Sequence, residues 1–311
     1  MTEHKKVRLP NFLIVGASRC GTTSLYHYLK EHPDVFMSSI KEPSFVLSQF
    51  SKVPKNGIGD DRQDYIDDFD DYCRLFEKAG DRKAIGEASS ENLYHYEKAI
   101  PTIQKFFGDP KIIIAIRNPV GKAYSAYTFL LSENREYLTF EEGLAQEEKR
   151  RQEGWGQIWF YKDTGFFSWS VKAYLESFSN VKICLFDDLK RDPLALVQDA
   201  YRLLGVDSSY APAVRMRYKT SGFPRSKMIN KFFADPSRLR SLARVAGRLI
   251  FKEDGWIKWR DSLKNRLYAR QEMNPETRKT LENVFRDDIM ELQELIQKDL
   301  SHWLRSSSGT A

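Results

Sequence analysis

A short loop near the amino terminus has the residue types and spacing of a phosphate-binding turn. Residues 16–24 read GASRCGTTS, and Gly16 and Gly21 have the spacing of the glycines in the nucleotide-binding pattern G-x-x-x-x-G-K-[ST]. Thr22 stands in place of the lysine of that pattern, and Arg19 is the only cation in the loop. The loop therefore predicts an anion site, while the missing lysine argues against hydrolysis of a nucleoside triphosphate.

This loop offers an anion three kinds of contact. Glycines let successive backbone N–H groups turn toward one ligand, and the helix that follows adds its positive end. Thr22, Thr23 and Ser24 add hydroxyl groups, and the Arg19 guanidinium matches the oxygens of phosphate or sulfate. The alternative is an ordinary strand-to-helix turn capped by a threonine. The combination of glycines, hydroxyl groups and a cation favours the anion site.

A second motif, RNPVGKAYSAY, follows the apolar run IIIAI. Arg117 ends a predicted strand, and Ser125 lies about two turns into the next helix, so both can face the same crevice. An Arg–Ser pair there suits a second phosphate, apart from the first. The alternative is an arginine that caps the sheet and a serine on a helix face.

These motifs need a sheet that brings strand ends together. Short apolar runs predict strands, and longer runs with helical spacing between them predict helices. The predicted strands are residues 11–16, 35–38, 84–87, 112–116 and 182–186; the predicted helices include 22–33, 99–107, 121–131 and 192–205. Alternating strands and helices predict an α/β fold, a P-loop-like doubly wound parallel sheet flanked by helices, with ligands at the carboxyl ends of the strands. After residue 205 we expect a helical C-terminal part without strands.

The length and composition of the chain limit the classes of protein to which it can belong. Its 311 residues, 41% hydrophobic and 30% charged, suit one globular domain over residues 1–305, with a disordered tail over 306–311. No apolar run approaches the ~20 residues of a membrane span, and the amino terminus lacks the apolar centre of a signal peptide. The three cysteines spell neither a disulfide framework nor a metal site. We expect a cytoplasmic protein with reduced thiols and no nucleic-acid partner. Its net charge of +6 indicates an anionic ligand or surface.

Several segments occur in the order in which sulfotransferases carry them. These are residues 12–45, GEAS at 86–89, RNPVGKAYSAY at 117–127 and FDDLKRDPLALVQDAYRLLGV at 186–206. The chain resembles this family over residues 10–305, and within it the branch of heparan sulfate sulfotransferases and their soluble bacterial relatives. The resemblance implies a single sulfotransferase domain that uses 3′-phosphoadenylyl sulfate (PAPS) as the sulfuryl donor and requires no metal.

The resemblance also assigns the two anion sites. The loop would hold the 5′-phosphosulfate through Arg19, Cys20, Gly21, Thr22, Thr23 and Ser24, and Arg117 with Ser125 would hold the 3′-phosphate. Arg19 would neutralise charge on the oxygen that bridges sulfur and phosphorus as the bond between sulfur and this oxygen breaks. A lysine for a γ-phosphate is unnecessary, because the donor has none.

Two glutamates are candidates for the base. Glu42, in IKEPSF, matches the glutamate that heparan sulfate sulfotransferases use to take the acceptor's proton, and a partly closed cleft can raise such a pKa toward neutral pH. A surface glutamate paired with Lys41 is the alternative. Glu87 ends the next strand and serves as an acceptor-site residue or substitute base. The chain departs from its relatives at Ser44, often histidine in them, and at Ala88, which is lysine in the sugar-modifying ones.

The remaining candidates lie toward the carboxyl terminus. Ser221, Gly222 and Arg225 resemble a loop that bacterial members carry near the donor, and Lys264 with Arg266 are the alternative. Residues 215–252 are strongly basic, and 237–252 have the spacing of a basic amphipathic helix. A solvated helix over the core is the simpler interpretation, and a peripheral contact with an anionic acceptor or membrane surface is the other.

Two further interpretations stay open at the level of sequence. The aromatic residues of 154–170 either fill the core or wall an acceptor pocket, and His27, His32 and His95 are interpreted as structural. Two rival functions are a P-loop kinase of small molecules, which requires ATP and Mg²⁺, and a non-catalytic protein that binds polyanions through 215–252. The acceptor, whether carbohydrate, lipid or small molecule, and the oligomeric state do not follow from the chain.

Overall fold

The computed structural model describes residues 8–52, 54, 56–62, 65–213, 223–224, 268–269 and 272–304. Three groups of predicted features lie outside these residues. They are the donor-site candidates Ser221, Gly222, Arg225, Lys264 and Arg266, the basic helix at 237–252, and the tail at 306–311.

A five-stranded parallel sheet forms the centre of the fold, in the order β2-β3-β1-β4-β5. The strands are β1 Phe12–Gly16, β2 Val35–Met37, β3 Ala84–Ala88, β4 Lys111–Ile116 and β5 Val181–Leu185. β1 and β3 are buried along their whole length, as expected for parallel strands covered on both faces. The prediction of a doubly wound parallel sheet is confirmed. Because β1 is central, the loop that follows it lies where the strand order reverses, at the crevice of such sheets.

Twelve α-helices of the described residues surround the sheet or extend from it. They are α1 Thr22–Lys30, α2 Phe45–Ser48, α3 Phe69–Arg74, α4 Tyr96–Phe107, α5 Pro119–Ser132, α6 Phe140–Ala145, α7 Glu147–Gln152, α8 Ser168–Ser177, α9 Phe186–Arg191, α10 Pro193–Leu204, α11 Pro275–Val284 and α12 Arg286–Ile296. Short 3₁₀ helices occupy Asp60–Arg62, Glu77–Ala79, Gln157–Trp159, Asp163–Gly165 and Ser301–Trp303. Among the described helices, none combines the length and apolar composition needed to cross a bilayer.

The two helices that follow the motif strands begin differently. Proline at the first position starts α5, and the Asn118 side chain accepts hydrogen bonds from the N–H groups of Val120 and Gly121. By contrast, Gly21 precedes α1, and no side chain caps that helix. The first turn of α1 therefore keeps its positive end for a ligand.

The C-terminal part is helical, as predicted, with one exception. α11 begins at Pro275, where Asn274 caps it by accepting from the N–H of Glu276, and α12 follows directly. However, Phe223–Pro224 (β6) pairs antiparallel with Tyr268–Ala269 (β7), so the expectation of no strand after residue 205 was wrong. A two-residue pairing between segments far apart in the chain leaves no periodic signal in the sequence.

Candidate active site

A large cleft opens beside the carboxyl ends of β1, β2 and β3. Its volume is about 1310 Å³, and its wall includes Arg19, Thr22 and Thr23 of the first loop together with Lys41 and Glu42 after β2. Pockets for a single small ligand usually measure ~300–1,000 Å³. The cleft therefore has room for more than one small molecule.

The backbone of the loop is unusual at Gly21 and at Arg19, among other positions. Gly21 has φ 97°, and a Cβ built there would lie 2.6 Å from Cδ2 of Leu189, so glycine is required both by conformation and by space. Arg19 has φ 67°, a left-handed value that non-glycine residues rarely adopt. Strain of this kind is concentrated at functional sites. Arg19, the cation of this loop, lies on the cleft wall.

A hydrogen bond joins the two predicted anion motifs. Nε of Arg19 donates to Oγ of Ser125 over 3.4 Å, and its guanidinium lies 4.5 Å from the centre of the Phe129 ring. Both partners belong to α5, the helix of the second motif. The structure thus brings the loop after β1 and the helix after β4 together, as the sequence predicted.

Three cations lie in or near the loop: Arg19, Arg117 and Lys122. Arg117 packs its guanidinium 4.5 Å from the centre of the Phe186 ring, and together with Arg19 and Lys122 it lowers the pKa of the buried Cys20 thiol. Burial outweighs this effect and raises that pKa to about 11. The Arg19 pKa falls to about 10, mainly through burial and then through Arg117. A cluster of like charges held in a partly buried place suits an anion with several charges.

Lys122 is a site residue that the sequence reasoning missed. It is 2% exposed, lines the cleft and donates from Nζ to Oγ1 of Thr164. Burial lowers its pKa to about 8. A signal was available, because Lys122 and Ser125 are three residues apart on α5 and share a helix face.

Glu42 lies on the cleft wall in a closely bonded setting. Its Oε2 accepts a hydrogen bond from the N–H of Ser90 at 2.6 Å, the Ser90 hydroxyl lies 3.2 Å from both carboxylate oxygens, and Lys41 pairs with Oε1. Its backbone N–H donates to the carbonyl of Ala88 at 2.9 Å, with φ 60°. These bonds fix the carboxylate, while its side chain keeps 25% of its surface exposed.

The expectation that the cleft raises the pKa of Glu42 was wrong. Burial alone would raise it, but Lys41 and the N–H of Ser90 hold the pKa below the ordinary value of 4.5. The pairing with Lys41, considered above as the surface alternative, therefore coexists with a place on the cleft wall. Glu42 is ionised at neutral pH and able to accept a proton.

Glu87 does not lie where the sequence reasoning placed it. It is 1% exposed within β3 and absent from the cleft wall, and its Oε2 accepts a hydrogen bond from Oγ of Ser89 at 2.7 Å. Burial raises its pKa to about 8. β3 is covered on both faces, so the Glu87 side chain lies in the interior.

A different carboxyl group lines the cleft instead. Glu91 follows β3, is 4% exposed, and its Oε1 has no hydrogen-bond partner among the residues that the structure describes. Burial raises its pKa well above the ordinary value, with the nearby Glu42 the next cause. Its position in the loop GEASSENLY gave no periodic signal, because it lies beyond the end of the strand.

The other predicted donor contacts differ in their surroundings. Cys20 is fully buried, its thiol faces Ser18 O at 3.6 Å, and its backbone N–H donates to Ala17 O, so the structure does not place it with the residues that face the cleft. Ser24, Arg117 and Ser125 are half-buried and do not line the cleft themselves. Ser44, the departure from the expected histidine, is fully buried and bonded to Ser89 through its N–H.

The aromatic stretch serves both purposes considered from the sequence. Trp159 and Tyr161 are fully buried in the core, whereas Trp155, Phe160 and Phe166 line the cleft. Buried Asp60 fastens this stretch by accepting hydrogen bonds from Gly156 N–H at 2.8 Å and Trp159 Nε1 at 3.0 Å.

The structure changes the interpretation of one of the three histidines, His95. His32 is structural, because Nδ1 accepts from the N–H of Asp34 and Nε2 bonds to Asp207 O, each at 3.0 Å. His95 lies on the cleft wall, which the sequence reasoning did not anticipate. Its pKa is lowered to about 4, chiefly by burial, so it is neutral at pH 7.

The arrangement separates two kinds of chemistry within one cleft. Cations, hydroxyl groups and an uncapped helix end gather around the loop after β1, where they can hold an anion and stabilise a departing negative charge. An ionised carboxylate after β2 can accept a proton from a second molecule. Such a site suits the transfer of an anionic group to a hydroxyl.

Comparison with protein families and curated sequences gives a consistent assignment. A family model described as "Sulfotransferase family" matches residues 10–210. Carbohydrate sulfotransferase 15 of Rattus norvegicus is 29% identical over 176 residues, which cover 46% of this chain and 31% of that protein. Bifunctional heparan sulfate N-deacetylase/N-sulfotransferase 3 of Homo sapiens is 24% identical over 314 residues, which cover 96% of this chain and 31% of that protein. The chain spans 31% of the length of these two relatives.

A solved structure is similar over nearly the whole chain. It is the crystal structure of a sulfotransferase from Alicyclobacillus acidocaldarius, 32% identical in sequence with a TM-score of 0.75. The match covers 96% of this chain and 100% of the other. The fold is therefore shared with that protein.

Proposed function

The chain belongs to the sulfotransferase family, and we propose that it transfers a sulfuryl group from PAPS to the hydroxyl group of an acceptor. One observation carries the proposal: the hydrogen bond from Arg19 of the first loop to Ser125 of α5, in a cleft whose wall also contains Glu42. This contact joins the two anion motifs beside an ionised carboxylate.

The donor would lie along the cations. Thr22 and Thr23 on the cleft wall, with the backbone of the loop and the start of α1, would hold the 5′-phosphosulfate. Arg117 and Ser125 would hold the 3′-phosphate, and Lys122 of the same motif would add a third cation near Cys20 of the loop. Ser221, Gly222 and Arg225 remain candidates for further contacts with the nucleotide.

The reaction would proceed by direct displacement at sulfur. The acceptor oxygen forms a bond to sulfur as its proton passes to the carboxylate of Glu42. The bond between sulfur and the bridging oxygen breaks, and its electron pair stays on the phosphate of adenosine 3′,5′-bisphosphate. Arg19 stabilises that phosphate as its charge grows.

We propose a carbohydrate hydroxyl as the acceptor. Two relatives are named for sulfation of carbohydrate or of heparan sulfate. Trp155, Phe160 and Phe166 on the cleft wall support the proposal, because aromatic rings offer flat apolar surfaces beside polar groups.

We also propose that the protein works in the cytoplasm, with a peripheral contact to an anionic surface through residues 237–252. Its three cysteines, Cys20, Cys73 and Cys184, are buried and free, which agrees with a reducing compartment. Fractionation of the source cells tests this placement, and recovery of the protein from an oxidising compartment would contradict it.

Ligand binding tests the donor site without an acceptor. We expect adenosine 3′,5′-bisphosphate to raise the melting temperature in the presence of a chelator, because a ligand at a hundredfold its Kd stabilises by ~2.7 kcal/mol. Arg19→Gln should lose most of this shift. The control Lys52→Gln, which removes an exposed cation from the same cleft, should keep it. A shift with ATP and Mg²⁺ but none with the bisphosphate would overturn the proposal in favour of a kinase.

A further inference from the structure

Lys122 is a buried cation whose hydrogen bonding is incomplete. It is 2% exposed on the cleft wall, and its Nζ donates to Oγ1 of Thr164. The hydroxyl hydrogen of Thr164 is directed to the carbonyl of Phe160, so Oγ1 acts as the acceptor for Lys122. An ammonium group has three donors, and no second acceptor among the described residues bonds to Nζ. Two donors therefore remain for a ligand in the cleft.

No carboxylate in the described parts of the chain forms an ion pair with Lys122. Glu147 and Asp163 act on its charge through space, but both are bonded to other groups. Glu147 accepts a hydrogen bond from the N–H of Lys162 at 2.5 Å, and Asp163 pairs with Arg151 at 3.1 Å. Burial lowers the pKa of Lys122 to about 8, so the ammonium form prevails at pH 7. A buried cation of this kind is costly unless an anion meets it.

The surroundings of Lys122 connect the loop after β1 with the aromatic stretch at 154–170. Its charge acts on Cys20 of the loop, and its hydrogen bond reaches Thr164 of the stretch. In the proposed function, the loop holds the phosphosulfate and the stretch walls the acceptor. The sulfuryl group passes from one to the other, so the donors of Lys122 lie where that group crosses.

We propose that Lys122 is a catalytic residue that donates hydrogen bonds from Nζ to the nonbridging oxygens of the sulfuryl group. The inference rests on the proposed function and specifies which part of the donor this cation binds. Lys122 neither gives nor takes a proton. The acceptor oxygen bonds to sulfur and its proton passes to Glu42, while the bond from sulfur to the bridging oxygen breaks. The ammonium group stabilises the charge on the sulfuryl oxygens throughout.

The 3′-phosphate is the alternative ligand of Lys122, because Ser125 lies about one turn later on α5. The two side chains contact different neighbours, however. Ser125 accepts a hydrogen bond from Arg19, whereas Lys122 bonds to the wall of the acceptor. The contacts of Lys122 therefore favour the sulfuryl group.

Three adenine nucleotides separate these contacts in calorimetry. Adenosine 5′-phosphosulfate has the sulfuryl group without the 3′-phosphate, adenosine 3′,5′-bisphosphate has the 3′-phosphate without the sulfuryl group, and AMP has neither. Lys122→Met should weaken binding of the phosphosulfate by about tenfold to a hundredfold, the range of a hydrogen bond to a charged group. It should change the affinities for AMP and the bisphosphate by less than about threefold. Lys122→Arg, which keeps the charge, should recover most of the lost affinity.

The controls report on the fold and on charge in general. Lys52→Met removes an exposed cation from the same cleft wall and should leave all three affinities within about threefold. Without a ligand, Lys122→Met should melt no lower than the wild type, because it removes a buried charge. If Lys122→Met does not fold, Lys122→Gln, which can still donate to Thr164, supplies the same comparison.

The other outcomes would overturn the inference in distinguishable ways. Weaker binding of the bisphosphate but not of the phosphosulfate would assign Lys122 to the 3′-phosphate, and equal weakening of AMP and the phosphosulfate would assign it to the 5′-phosphate. Unchanged affinities with a lower melting temperature would show that the lysine only supports Thr164. A wild type that binds none of the three nucleotides would contradict the proposed function itself.

Discussion

Replacement of Glu87 by glutamine should make the stability of the protein less dependent on pH. Glu87 is 1% exposed, and burial raises its pKa from the ordinary 4.5 to about 8. Between these values the folded protein holds a proton that the unfolded chain has released, so stability falls as pH rises. Glutamine imitates the protonated carboxyl group, accepts the hydrogen bond from Ser89 and removes this loss.

The magnitude follows from the two pKa values. One proton bound only in the folded state costs about 1.4 kcal/mol of unfolding free energy for each pH unit. Between about pH 5.5 and about pH 7.5, the wild type should therefore lose roughly 2.7 kcal/mol relative to Glu87→Gln. All other titrating groups are common to both proteins, so they cancel in this comparison.

Denaturant unfolding at the two pH values measures the difference. Glu142→Gln is the matched control, because hydrogen bonds from the N–H and the hydroxyl of Thr139 hold the pKa of Glu142 below 4.5. The stability that its charge contributes is present above that value and is lost only as pH falls through the folded pKa, so the effect of Glu142→Gln should be constant in this window. If Glu87→Gln also shows a constant effect, Glu87 is ionised in the fold, and the reason for removing it from the candidate bases fails.

Three further predictions concern the donor site, the loop and the basic helix. Arg117→Ala should weaken the binding of adenosine 3′,5′-bisphosphate by ~1.5–3 kcal/mol and that of adenosine 5′-phosphosulfate by less, because the latter lacks the 3′-phosphate. Equal weakening of both ligands in calorimetry would contradict this role of Arg117. Gly21→Ala should lower the unfolding free energy by more than ~1 kcal/mol, because it places a Cβ at φ 97° and 2.6 Å from a leucine side chain; an unchanged melting temperature would contradict it. Joint replacement of Arg240, Arg244 and Arg248 by glutamine should weaken binding of the protein to anionic vesicles and leave its affinity for the bisphosphate unchanged. Unchanged vesicle binding would contradict the proposed contact with an anionic surface.

The architecture could be predicted because its signals are local and repeated. Apolar runs such as those of β1 and β4 are long enough to identify as buried strands, and the proline at the start of α5 marks a helix boundary. The parallel order then brings the loop at Gly16 and the strand end at Arg117 to one edge. The contact between Arg19 and Ser125 became visible only in the structure, since the sequence indicated two separate anion sites.

The protonation of the carboxyl groups could not be predicted in this way. Glu42 follows a predicted strand and Glu87 ends one, so the two look similar in sequence. In the structure, Glu42 contacts a lysine and two donors of Ser90, whereas Glu87 is enclosed in the interior. Glu91 could be identified only from the structure, in which the chain after β3 lies near Glu42. Such differences arise from neighbours distant in the chain, which no spacing rule records.

The most direct test of sulfuryl transfer uses PAPS labelled in its sulfur. The wild type and Glu42→Gln would be incubated with a panel of glycans that includes heparan sulfate, chondroitin sulfate and simple glycosides, and label joined to the glycan would be counted. We expect the wild type to label at least one glycan, and Glu42→Gln to bind the bisphosphate normally while losing ~10²–10⁴ in rate, the usual contribution of a general base. Near-normal transfer by Glu42→Gln would show that another group is the base. Label released only as inorganic sulfate, with every glycan unlabelled, would contradict a carbohydrate acceptor, and the absence of any PAPS turnover would contradict the central claim.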